Sequence, residues 1–183
     1  MKLEIIQNGT SSLYSVYVVR DYLSNDKLSI LNNIIRSLTE TDSMNRKTNV
    51  KANMTDYNKL KSIPECQNLF LQTIHTLDSI VKLRSCHTAE TYKYFVTDAW
   101  GMQHLNEDYT QIHFHYPSDW SCAFYTEVPV PAPQMEFLEF ASFLPLETNM
   151  LVLFPGMVKH SVNANQSKNN RISLAFNIDV EKQ

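Results

Sequence analysis

Two hydrophobic periods divide the chain. From Asp26 onward the apolar residues Leu28, Leu31, Ile34, Ile35 and Leu38 recur at steps of three and four, which predicts one stripe on a helix with Asp26 as its N-cap. A second helix is predicted from the capping-box sequence Ser62-Ile63-Pro64-Glu65, with Ser62 as N-cap and Pro64 in the first turn. It runs to about Leu83 and buries Leu69, Phe70, Ile74, Leu77, Ile80 and Val81. Ahead of the first helix, Leu13 to Val19 is β-branched and aromatic enough for a strand, and Asp21 to Asn25 supply a polar turn. Residues 40–61 are polar and without period, as in an irregular connection.

From residue 91 the period becomes two. Strands are predicted at 92–96, 99–105, 111–115, 121–128, 135–140, 151–154 and 171–179, with a turn at Asn106-Glu107-Asp108 and a proline-spaced loop at 129–133. Helices first and strands afterwards describe a mainly β, α+β fold: one domain over 1–183, with 1–90 as mostly helical support and 91–180 as a β-sandwich or barrel. In the last strand Arg171, Ser173, Ala175 and Asn177 share one face, and Ile172, Leu174, Phe176 and Ile178 the other. The same split sets Ser121, Ala123 and Tyr125 against Cys122 and Phe124, and Gly101 and Gln103 against Trp100 and Met102. With the apolar faces packed on the helices, the small and polar faces, Gln103 and Tyr125 among them, line an internal ligand cavity rather than a filled core. The same count puts His104 on the outer face.

Into this pattern falls Gln111-Ile112-His113-Phe114-His115. On a strand, residues i and i+2 point the same way with Cα atoms roughly 6.6 Å apart, so His113 and His115 can reach one metal ion while Ile112, Phe114 and Tyr116 form an apolar packing face. His160 lies downstream as a third candidate ligand, and Arg171-Ile172-Ser173 follows eleven residues later. His75, within the second helix, and His87, in a polar loop, have no partner motif.

Composition narrows the partners. A length of 183 residues, 43% hydrophobic, suffices for a sizeable core, and a net charge of -3 lacks the basic surplus that nucleic-acid backbones demand. No stretch has the apolar length of a signal peptide or membrane span, so a cytoplasmic protein is expected, in the host's cytoplasm if the chain is viral. Cys66, Cys86 and Cys122 show no Cys-x-x-Cys spacing and are expected to be reduced and mostly buried.

These residues together resemble the 2-oxoglutarate and iron(II)-dependent oxygenase superfamily, whose double-stranded β-helix (a cupin-like jelly-roll) carries His-x-Asp/Glu, a distal His and then an Arg. Trp100, His113-Phe114-His115, Ser121 to Tyr125, Phe154-Pro155, His160-Ser161-Val162 and Arg171 to Asn177 are similar to small oxygenases of phages and bacteria. The Leu13 to Val19 and Asn49 to Leu60 segments share that layout. The resemblance implies Fe(II) on His113, His115 and His160, with the far carboxylate of 2-oxoglutarate on Arg171 and Ser173. It makes Tyr125 and Gln103 further contacts in the cosubstrate pocket. The implied reaction is oxidation, such as hydroxylation, of an unidentified prime substrate by O2, with decarboxylation of 2-oxoglutarate to succinate. Neither nucleic acid nor membrane is an expected partner, and a homo-oligomer is compatible.

Two departures stand out. His115 replaces the acidic ligand, which leaves the metal site one positive charge richer. Thr148-Asn149 replaces the glycine-bearing turn before the Leu151 strand, where asparagine tolerates positive φ better than most residues. A three-histidine zinc enzyme and a non-catalytic, metal-stabilised jelly-roll binding module are the alternatives; neither needs Arg171.

Overall fold

The computed structural model describes residues 2–8, 11–41, 49–84 and 92–183. Cys86, His87 and the middle of the 40–61 connection lie outside the described residues. The chain opens with strands β1 (Lys2–Asn8) and β2 (Ser11–Arg20), helix α1 (Asn25–Thr41), strand β3 (Asn53–Met54) and helix α2 (Pro64–Arg84). There follow β4 (Tyr92–His104), β5 (Thr110–His113), β6 (Trp120–Glu127), β7 (Gln134–Phe137), β8 (Ser142–Pro145), β9 (Met150–Pro155), β10 (His160–Val162) and β11 (Arg171–Lys182). A seven-stranded sheet in the order β1-β2-β9-β6-β11-β4-β3 faces a four-stranded one in the order β5-β10-β7-β8, in the expected jelly-roll manner.

The central strands of the large sheet are buried on both sides, which is why Met150 to Phe154 reads as an unbroken apolar run. On its outer side Phe124, Ile172, Leu174, Phe176 and Ile178 pack against Leu31 and Ile35 of α1 and Leu69, Phe70 and Leu77 of α2. Gly101 makes this approach close, since a Cβ there would stand 2.9 Å from Cγ2 of Ile35. On the inner side Val16, Val18, Met150, Val152 and Phe154 meet Met135, Phe137 and Leu144 of the small sheet. The interior is therefore filled at one end and hollow only at the other, where the expectation was a cavity throughout.

Several local readings need correction. Lys2–Asn8, not expected as a strand, pairs antiparallel with β2, and the two form one edge of the large sheet. Residues 92–105 contain one long strand instead of two. Ser62 does not cap α2: it ends a 3-10 turn, its hydroxyl donates to the Lys59 carbonyl, and Ile63 takes the cap position by accepting from Gln67 N–H at 2.9 Å. The turn at Asn149 survives as expected, with φ of 64°. His75 is exposed, and Cys66 and Cys122 are buried free thiols.

Candidate metal centre

Three imidazoles meet at the hollow end of the sandwich. Strands β5 and β10 are antiparallel neighbours in which His113 stands directly opposite His160, so pairing register brings together residues 47 positions apart. The Nδ1 of His113 lies 2.8 Å from the carbonyl of Gln111, and the Nδ1 of His160 lies 3.1 Å from that of Val158. A carbonyl can only accept, so each Nδ1 carries the proton and each Nε2 presents a free lone pair, the arrangement metal-binding histidines usually show.

His115 is held differently. It lies two residues beyond the end of β5, in a turn where its N–H donates to the Gly156 carbonyl at 2.6 Å and its carbonyl accepts from Ser118 N–H at 2.9 Å. Gly156 is required there, because a Cβ would fall 2.0 Å from the Ser118 carbonyl oxygen. The His115 ring stacks on Trp100 with centroids 5.8 Å apart. Ile112, Phe114 and Tyr116 are 57%, 52% and 73% exposed, so the alternate positions do not form the expected packing face. Phe114 and Tyr116 lie past the end of β5, and among the described residues these three side chains are left largely uncovered.

The ligand atoms of His113, His115 and His160 all lie within 4.8 Å of one another. Nitrogens bound at about 2.1 Å to one ion sit roughly 3 to 4 Å apart, so a small side-chain movement closes the cluster on a metal. Burial depresses the basicity of all three. His115 falls to about 3, with His113 adding to the effect, and His160 is held well below the usual range by burial and by both neighbours. All three are thus neutral at pH 7, the form that coordinates.

Deeper in the same hollow lies Arg171, only 1% exposed. Its Nε has no hydrogen-bond partner, its Nη1 reaches only the Asn163 carbonyl at 3.5 Å, and among the described residues no carboxylate pairs with it. Burial pulls its pKa down to about 10, against the opposing influence of Tyr125 and Asp108. A buried guanidinium left this way is expensive unless an anion joins it. Ser173 and Tyr125, cross-strand neighbours on β11 and β6, line the same space. Burial raises the Tyr125 phenol to about 12, and its only hydrogen-bond acceptor there is Met135 Sδ at 3.8 Å.

The two faces of β4 are the reverse of those expected, for Gly101 and Gln103 as for Trp100, Met102 and His104. Register sets His104 opposite Arg171, Met102 opposite Ser173 and Trp100 opposite Ala175, and directly opposed residues share a face. Trp100, Met102 and His104 therefore line the hollow. Gln103 faces α1, where it accepts from the Thr39 hydroxyl at 3.2 Å and donates to Glu40 at 3.4 Å; it is not a pocket residue. His104, expected outside, is buried beside Arg171, with Nε2 3.3 Å from the Thr110 hydroxyl. Burial and the arginine's charge push its pKa well below the ordinary value.

Comparison with known proteins bears on this geometry. The family described as "Putative 2OG-Fe(II) oxygenase" matches residues 139–177, about a fifth of the chain, a span that includes His160, Arg171 and Ser173 but not His113 or His115. No curated protein matches the sequence. Among solved structures, the viral collagen prolyl hydroxylase of Paramecium Bursaria Chlorella virus-1, in its 2OG complex, aligns with a TM-score of 0.62 at 11% identity, over 89% of this chain and 94% of its own. A Pseudomonas putida prolyl-4-hydroxylase aligns with a TM-score of 0.65 at 16% identity, over 90% and 91%. HygX from Streptomyces hygroscopicus, with nickel and 2-oxoglutarate bound, gives 0.64 at 8% identity, over 90% and 81%. The chain has the fold of the 2-oxoglutarate and iron(II)-dependent oxygenases, and the family match covers His160 and Arg171.

Proposed function

We propose that the protein is a 2-oxoglutarate- and Fe(II)-dependent dioxygenase that oxidises a substrate not yet identified. The observation that carries this reading is the buried Arg171 without a carboxylate, in the same hollow as three neutral imidazoles. His113, His115 and His160 would hold Fe(II), and Arg171, with Ser173 and Tyr125 beside it, would take the far carboxylate of 2-oxoglutarate. Bound there, the pair supplies activation of O2 coupled to decarboxylation of 2-oxoglutarate to succinate and oxidation of the substrate.

The chain's own groups do the positioning. The Gln111 and Val158 carbonyls fix two ligand rings, and the His115 turn, closed on Gly156, brings the third. The planar guanidinium of Arg171 offers paired N–H donors that suit a carboxylate, as a lysine would not. The apolar wall of Met135 and Phe154 would keep water from that ion pair and strengthen it. A three-imidazole set also suits zinc, so metal identity is the first test. Anaerobic titration of the purified protein with Fe(II) and then 2-oxoglutarate should produce a visible charge-transfer band, and admitting O2 should yield succinate. Tight zinc binding with no affinity for 2-oxoglutarate would overturn the reading.

A further inference from the structure

Beside the metal cluster, and open to solvent, lies a cleft of about 300 Å³ whose walls include Tyr57, Asp98, Trp100, Phe114, His115 and Asn177. Asn49 and His113 also line it, and two of its polar groups, Asp98 and Asn177, come from one irregularity of the sheet. Along β4 and β11, Phe176 pairs with Ala99 but Ile178 pairs with Val96, so Asn177 alone opposes both Thr97 and Asp98. Such a bulge re-aims side chains, and here Asp98 and Asn177 both line the cleft. Asn177 is 7% exposed, and its Oδ1 has no hydrogen-bond partner. An unmet buried acceptor of this kind calls for a donor.

Among the described residues Asp98 has neither an ion pair nor a side-chain hydrogen bond, and no lysine or arginine lines the cleft. Beside the Asn49 amide and the neutral imidazoles of His113 and His115, the described walls offer one negative charge, an unmet carbonyl and aromatic surface. Tyr57 meets Trp100 edge to face at 5.1 Å, and Trp100 in turn stacks on His115, so the aromatic wall ends at a candidate metal ligand. Aromatic faces and a carboxylate together attract cations, whereas the inner hollow, with Arg171, repels them.

We propose that this cleft binds an organic cation, an ammonium or guanidinium on an aliphatic arm, with N–H donors directed at Asp98 and Asn177. That the bound molecule is the prime substrate rests on the oxygenase reading; the preference for a cation rests on the cleft alone.

The test is calorimetric titration with N-acetyl-lysine methylamide and N-acetyl-arginine methylamide against their neutral counterparts built on norleucine and citrulline. It uses metal-free protein and protein loaded anaerobically with Fe(II) and 2-oxoglutarate. The cationic probes should bind about tenfold more tightly than the neutral ones, and Asp98→Asn should remove most of that difference. The preference should also shrink in the wild type at high ionic strength. Equal affinities, no saturable binding of any probe, or a preference that persists in Asp98→Asn would overturn the proposal. The visible band of the loaded samples reports separately on the oxygenase reading. A cation preference without the band would sustain the cleft and remove its substrate role, and the band without a preference would sustain the oxygenase reading and overturn the cation site.

Discussion

The two halves of the candidate site are built by different means. Arg171, Ser173 and Tyr125 stand on the long strands β11 and β6, in the covered middle of the seven-stranded sheet, so their positions follow from an extended ladder and a filled core. The imidazoles stand on the two short strands β5 and β10 and on a turn past the end of β5, and their aim depends on single contacts: two carbonyls and one glycine. The anion half should therefore tolerate nearby substitutions that the metal half does not.

The largest expected effect is on the metal. His113→Ala and His160→Ala should each abolish tight Fe(II) binding by calorimetry while leaving the circular dichroism spectrum unchanged. His115→Ala should bind poorly, and His115→Asp, which restores a carboxylate, should still bind; wild-type affinity in His115→Ala would remove it from the site. Next comes Arg171→Gln. Loss of a buried ion pair costs about 3–5 kcal/mol, so 2-oxoglutarate affinity should fall by roughly two to three decades with Fe(II) affinity little changed.

Gly156→Ala sharpens the contrast between the halves. By displacing the His115 turn it should weaken metal binding about 10–100-fold, as loss of supporting contacts around a metal commonly does, while Arg171 stays in place. An unaltered Fe(II) titration in this variant would show that the turn is not what aims His115. The smallest effect is expected at Gln103. Gln103→Ala should cost about 1 kcal/mol of stability, read from the denaturation midpoint, through its lost bonds to α1. It should leave 2-oxoglutarate affinity unchanged, and any weakening would return Gln103 to the pocket.

Much of this was legible in residue order alone. The stripes of α1 and α2 and the alternation of β11 follow from local periodicity, and the core confirms them at Leu31, Ile35, Leu69, Leu77, Ile172 and Leu174. What failed depends on pairing. Whether Gln103 or His104 faces inward is decided by the partner across the ladder, and only the Arg171 to His104 register settles it; the rule that small and polar residues face inward misled on β4 because Trp100 and Met102 are themselves walls of the hollow. Likewise Ile112, Phe114 and Tyr116 alternate as a buried strand would, yet among the described residues all three are more than half exposed. The strand at Lys2–Asn8 went unread because its Leu3 and Ile5 are half exposed, leaving little contrast between its faces.

Asn149 shows how a departure from a common pattern can become an attachment. Glycine at that turn would supply only conformational freedom. Asparagine accepts the same left-handed backbone and adds an amide that receives the Leu23 N–H at 2.9 Å and gives its own N–H to the Leu23 carbonyl at 2.8 Å. The side chain thus imitates a neighbouring strand for one residue, stitching the entrance to α1 to the corner that precedes β9. Aspartate could return only half of that stitch, and glycine none, so a substitution toward the more familiar glycine would loosen the entrance to α1 from the sheet that carries Arg171.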